Sequence, residues 1–261
     1  MSKRETSIVV RVIYIIAPVV SIGTLFVIWL ISSNLNPAFV PSPIAAFDRF
    51  IELLQHPISK MSVLGHIGMS LSRVLSAVAT ASILGITFGV FLGWSKAFFN
   101  YFSPIFEILR PIPPIAWIPL ITLWFGIGEF PKILIVFIAS FVAIVINTYT
   151  GVKMVDSFIT DVGRSFGVKG SHMLFEIIIP SSLPAIFAGI KTSVGAGWMS
   201  VLAAEMISSR SGLGFLITRG MDSGDTPLII VGMVLVGAVG ALISYGLTYF
   251  ERWLCPWKEN K

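Results

Sequence analysis

Six stretches of this 261-residue chain, at 12–32, 72–94, 102–125, 132–149, 185–206 and 227–250, run for at least 18 residues with no more than two Asp, Glu, Lys or Arg in each. A run of roughly 20 apolar residues matches the thickness of a bilayer core. Backbone N–H and C=O groups find no water there, so such a run must close its hydrogen bonds within a helix or a sealed barrel. Barrel strands need alternation of apolar and polar residues, and these runs are continuous, so helices are expected. Charged residues make up only 12% of the chain and the mean hydropathy is +0.90. That is about half the charge an ordinary soluble domain carries, too little to clothe a water-facing globule. The same shortage of charge argues against disorder, and the single Cys255 argues against a disulfide scaffold. The expectation is one all-α membrane domain over 1–261 with about six transmembrane helices.

Six crossings return both termini to one side. Lys and Arg near the span ends fall 10 on the side holding Lys3, Arg4, Arg11, Lys96, Lys153, Arg164, Lys169, Arg252, Lys258 and Lys261, and 6 on the side holding Arg49, Lys60, Arg73, Lys132, Arg210 and Arg219. Basic residues concentrate on the cytoplasmic side, so both termini of this multi-pass protein are expected in the cytoplasm. The first stretch is longer than the apolar part of a secretory signal peptide and lacks a small-x-small cleavage site, so it reads as a retained span. The net charge of +5 is scattered rather than gathered in a stripe, which argues against a nucleic-acid partner.

Between the spans, several segments carry more than hydrophobicity. At 43–56, punctuation by Pro41, Ser42 and Pro43 precedes Ile44, Phe47, Ile51 and Leu54 at helical spacing, as in an amphipathic helix lying on the outer interface. In the second span Ala77, Ala81, Gly85, Gly89 and Gly93 place a small residue at every fourth position. That makes one helix face on which another backbone can approach closely. The third span holds Pro111, Pro113, Pro114 and Pro119, each lacking a backbone donor, so it cannot be one smooth helix. Freed carbonyls at membrane depth must face protein or a watery cavity. Arg110, Pro113, Pro114 and Trp117 therefore become either a pathway wall or a kinked packing helix. Arg110 has Glu107 three residues back as an alternative partner, and Lys191 can snorkel to the interface. Glu205, next to Met206, is an acid at or near membrane depth, where ionisable groups face a bundle interior or a cavity.

The segment at 151–183, between the fourth and fifth spans, is long for a helical membrane protein. Asp156 is placed to cap a short helix carrying Phe158, Ile159, Val162 and Phe166 on one face, with Gly167 as its left-handed stop. A second short helix is expected to start at Ser171 and end before Pro180, carrying Met173, Leu174 and Phe175. Two short helices with exposed apolar faces need a partner to cover them. The spacing here resembles the cytoplasmic loop of ABC-importer transmembrane subunits, whose pattern is EAA, three residues, Gly, nine residues, then I-x-L-P. Asp161, Val162 and Gly163 stand at the EAA positions, Gly167 at the glycine, and Ile177, Ile179 and Pro180 at the end. Two more segments are similar to the nitrate, sulfonate, bicarbonate and taurine permease group: RPIPPIAWIPLITLWFGIGEFPK at 110–132 and LAAEMISSRSGLGFLI at 202–217.

That resemblance implies a type I ABC importer permease fold and a coupling loop that docks on an ATPase subunit. Asp161, Gly163, Arg164, Gly167, Ser171, Met173, Leu174, Phe175 and Pro180 would make or shape the docking surface. Arg110, Pro113, Pro114, Trp117, Glu205 and Met206 would border the translocation path. It further implies two ATP-binding subunits carrying ATP and Mg, a second permease copy in a homodimer, and a solute-binding protein that delivers a small anion. Related permeases also serve vitamin precursors. The chain itself has no G-x-x-x-x-G-K-[ST] segment, no H-E-x-x-H and no G-x-S-x-G, so neither ATP hydrolysis, a metal site nor another enzyme activity is expected on it. The rival reading, an ion-coupled secondary transporter, calls for intramembrane acids and an internal repeat that are not evident here.

Overall fold

The structure, a computed structural model, describes residues 8–37 and 39–254, and every regular element among them is helical. In chain order these are α1 (Ile8–Leu35), α2 (Pro43–Gln55), α3 (Val63–Trp94), α4 (Lys96–Leu109), α5 (Ile118–Phe125), α6 (Glu129–Lys153), α7 (Ser157–Ser165), α8 (Ile179–Ser208), α9 (Leu213–Ser223) and α10 (Thr226–Leu254). Five helices, α1, α3, α6, α8 and α10, are long and apolar enough to cross a membrane. The third expected span is instead a broken pair, in which Lys96–Leu109 and Pro114–Phe125 meet at 84°. The prolines supply the cause. Pro111 and Pro113 leave the chain without donors for a continuing helix, and a short 3₁₀ turn at Pro114–Trp117 redirects it into α5. The basic residues Lys3, Arg4, Lys258 and Lys261 lie outside the described residues.

Side-chain caps set several starts. Ser42, Ser62 and Ser95 each accept a backbone N–H from the first turn of α2, α3 and α4, and the Asp156 carboxylate does the same for α7. Helices α3, α6 and α8 form the centre of the bundle. Gly85, Gly89 and Gly93 of α3 face Ile144, Thr148 and Val152 of α6, where an added Cβ would come within 2.6–3.0 Å of those side chains. The absence of side chains on α3 thus sets the spacing of the two helices. On the other flank of α6, Gly189 and Gly197 of α8 face Asn147 and Ser140 in the same way. Around this centre, α10 packs on α9 and α2, and α1 stands largely clear of the rest. Helix α2 buries Ala46 and Leu53 and turns Ile44, Phe47, Ile51 and Leu54 outward.

Three sequence expectations need correction. The second helix of the 151–183 segment does not end before Pro180. It begins at Ser171, widens into a π-helical stretch at Met173–Ile178 and runs directly into α8. Pro180 therefore sits inside a continuous helical run, and the wide π-helical turn before it accommodates its ring and missing N–H. Lys191 does not snorkel alone but pairs with Glu251 of α10 at 3.1 Å. Arg73 and Lys132, counted above as flanking charges, are buried inside the bundle. Removing them leaves the count of basic residues at ten against four, further toward the same side.

Candidate functional site

Three regions hold the residues singled out above. The first is α7 and the chain on either side of it. Phe166 closes α7, and Gly167 follows with a φ of 81°, a left-handed conformation that lets the chain reverse without a steric penalty. Gly163 is buried where α7 crosses the π-helical stretch, and a Cβ there would overlap Ile177 and crowd Met173. Met173 and Leu174 are themselves buried, packed with Val90, Val152 and Ile178 against the ends of α3 and α6. They anchor α7 from beneath rather than offer a surface, which corrects their expected exposure. What stays uncovered is the outer face of α7 and its exit. Phe158 and Phe166 are 72% and 83% exposed, with Ile159, Val162 and Phe175 also open. Asp161 and Arg164 form an exposed pair at 2.9 Å on the same helix, and Ser171 and Pro180 are exposed beside them. Among the described residues nothing covers this apolar face, which is rimmed by charge.

The second region is a cavity of about 520 Å³ between the broken span, α6 and α8. Arg110, Pro114 and Trp117 line it from one side, and Phe137, Phe141 and Ser200 close the others. The lining is apolar apart from Arg110 and Ser200, and the Arg110 guanidinium pairs with Glu107 at 2.9 Å. Pro113 turns the chain at the head of the 3₁₀ segment.

Glu205 and Met206 are not part of that cavity. Glu205 is fully buried in a polar cluster that ties the ends of α3, α6 and α8 to the loop before α9. Arg73 donates to Glu129 through Nε at 2.6 Å and Nη2 at 2.9 Å, to Glu205 through Nη1, and to the carbonyl and hydroxyl oxygens of Ser211. All five of its N–H groups are thereby used. Ser70 donates to Glu205 and accepts from Leu213 N–H, while Gly214 N–H donates to Glu205 at 3.0 Å. His66 Nδ1 accepts from Gly212 N–H, and Lys132 donates to Glu129 at 2.9 Å. Gly212, at a φ of 109°, lies so close to the Glu205 carboxylate that any side chain there would collide with it. Two cations meet two carboxylates, so the formal charges balance, while Glu129, with its side chain 51% exposed, leaves the cluster open on one side. Sequence reasoning missed Arg73, Ser70, His66 and Glu129. The available signal was Glu205 itself, because a buried acid requires a cation and Arg73 is the basic residue at the start of a facing apolar run.

A bundle of glycine-seamed spanning helices, a broken span beside an apolar cavity, and an open apolar helix on the link between α6 and α8 define a polytopic transport permease. Residues 81–259 match the family described as binding-protein-dependent transport system inner membrane component, and the chain belongs to that family. An ABC transporter permease protein of Methanocaldococcus jannaschii, named without a substrate, is 35% identical over 86% of this chain and 84% of its own length. The taurine transport system permease protein TauC of Escherichia coli is 31% identical over 91% of this chain and 89% of its own length. Relatives named for nitrate import in Synechocystis and bicarbonate transport in Synechococcus elongatus are 32% and 30% identical. A structure of the MetNI methionine ABC transporter in an inward-facing conformation superposes with a TM-score of 0.66 at 16% identity, covering 78% of this chain and 97% of that one. The fold is that of the type I importer permease.

Proposed function

We propose that this chain is the permease subunit of an ATP-driven importer in a bacterial inner membrane, moving a small anion such as a sulfonate, taurine, nitrate or bicarbonate. It works as a homodimer with two ATPase subunits on the cytoplasmic side, where α7 and both termini lie. A solute-binding protein delivers substrate from outside. The observation that carries this reading is the uncovered apolar face of α7, held on the link between two central spanning helices. The chain has no nucleotide-binding loop of its own, so a motor must be borrowed. The anion class follows from the relatives named above and from the Arg110 guanidinium in the cavity wall.

The mechanism follows from how α7 is attached. Three residues join it to α6, and the buried contacts of Gly163 with Ile177 and Met173 seat it on the helix that continues into α8. When ATP draws the two motor subunits together, each pulls on α7 and transmits the displacement to α6 and α8 together. The Arg73 cluster at the opposite end keeps α3, α6 and α8 from sliding apart, so they rock as one body and the cavity beside them changes the side to which it opens.

Gly167→Pro tests this reading in a complex reconstituted with its ATPase and binding protein. Proline cannot adopt the left-handed backbone of Gly167, so the variant should insert normally yet lose substrate-stimulated ATP hydrolysis. Normal stimulation would refute the role given to α7.

A further inference from the structure

The cavity beside Arg110 has a smaller neighbour of about 90 Å³ on the side toward α7, between α4 and the last turns of α6. Phe106 and Arg110 line both spaces, whereas Glu107 lines the smaller one, together with Ser103, Tyr149 and Thr150. Arg110 thus borders the larger space while the carboxylate that answers it borders only the smaller. Phe106, on the same turn, packs against Phe88 of α3 with ring centroids 6.1 Å apart, which seats this part of α4 against the bundle.

The Arg110–Glu107 pair differs from the Arg73 cluster in how it is held. Arg73 is buried and donates to both oxygens of Glu129. Arg110 and Glu107 meet through Nη2 and Oε2 at 2.9 Å, one turn apart on the same stretch of chain, with side chains 41% and 51% exposed. An accessible pair at this spacing is weak and exchanges partners readily. At membrane depth a guanidinium with no counter-charge would hold an anion too firmly for it to leave, because apolar walls screen little. A path must bind well enough to admit an ion and loosely enough to release it. A carboxylate one turn away meets both needs, since the empty path is neutral and the bound ion has a competitor.

We propose that Glu107 is the carboxylate that a transported anion displaces from Arg110, and that it reclaims the guanidinium as the anion departs toward the α7 end. Glu107 is then a positioning residue that acts through Arg110 and sets how loosely the path holds its ligand. The inference rests on the anion-permease reading and adds to it a reason why one turn of the chain carries both charges. The ligand class is a small oxyanion, whose oxygen takes the place of a carboxylate oxygen at the guanidinium.

The test measures binding of nitrate, bicarbonate and methanesulfonate to the purified importer complex without nucleotide, alongside stimulation of its ATP hydrolysis by its binding protein. Glu107→Gln and Glu107→Ala, which remove the charge, should each tighten binding of at least one of the three anions by about three- to fivefold, the range an exposed ion pair supplies. Glu107→Asp, which keeps the charge, should stay near the wild-type affinity. In an Arg110→Gln background, Glu107→Gln should tighten nothing. Loss of a merely structural contact would not raise affinity. Equal or weaker binding in both Glu107→Gln and Glu107→Ala would overturn the role of Glu107. So would tightening that persists without Arg110, or no anion binding by wild type and variants alike. Absence of stimulation by the binding protein in the wild-type complex would instead sink the permease reading.

Discussion

Arg73 shows what a single residue must do to be charged inside a membrane bundle. Its side chain is 1% exposed, and it survives there because two carboxylates and one serine take up all five of its N–H groups. Removing one partner leaves an uncompensated charge at low dielectric. Arg73→Ala or Glu205→Ala should therefore lower the unfolding free energy in detergent by about 3–5 kcal/mol. The double replacement Arg73→Met with Glu205→Met should recover a large part of that loss, because neither charge is then stranded. Denaturant titration of the two single variants and the pair measures the coupling, and strictly additive losses would contradict a coupled cluster. The cluster escaped sequence reading for a physical reason. A basic residue at the start of an apolar run has the same appearance whether it points to the headgroups or into the bundle, and only the position of Glu205 on a facing helix distinguishes the two.

At the scale of elements, the glycine seam between α3 and α6 was legible because side chains four residues apart share a helix face, and nothing else places small residues so regularly. The cap at Asp156 and the stop at Gly167 were legible too, since both depend on residues adjacent in sequence. The junction at Pro180 was not. Proline ends a helix when an N–H is needed there, but a π-helical stretch before it can accommodate the ring, and no residue adjacent in sequence announces that stretch. The break at 84° was visible only as a break, because four prolines say that a helix stops and not where the chain goes next. The seam has a direct test. Gly89→Ala puts a methyl group 2.7 Å from the Thr148 Cβ and should cost about 1–3 kcal/mol, whereas Gly68→Ala, with open space around it, should be neutral or stabilising. Equal melting behaviour of the two variants would contradict close contact of α3 with α6.

Across the whole molecule, the two ends differ in kind. One end is locked by the Arg73 cluster and by the Arg49–Asp225 pair, while the other carries a short helix whose large side chains have nothing over them. On the proposed reading, the bundle is driven from the end that carries α7. The most direct measurement is cross-linking from α7 in the assembled complex, using Phe166→Cys with a short photoactivatable group. The account predicts an adduct with the ATPase subunit that forms inside the cell and is shielded from impermeant thiol reagents applied outside. Labelling of that cysteine from the exterior, or adducts with lipid alone, would contradict it.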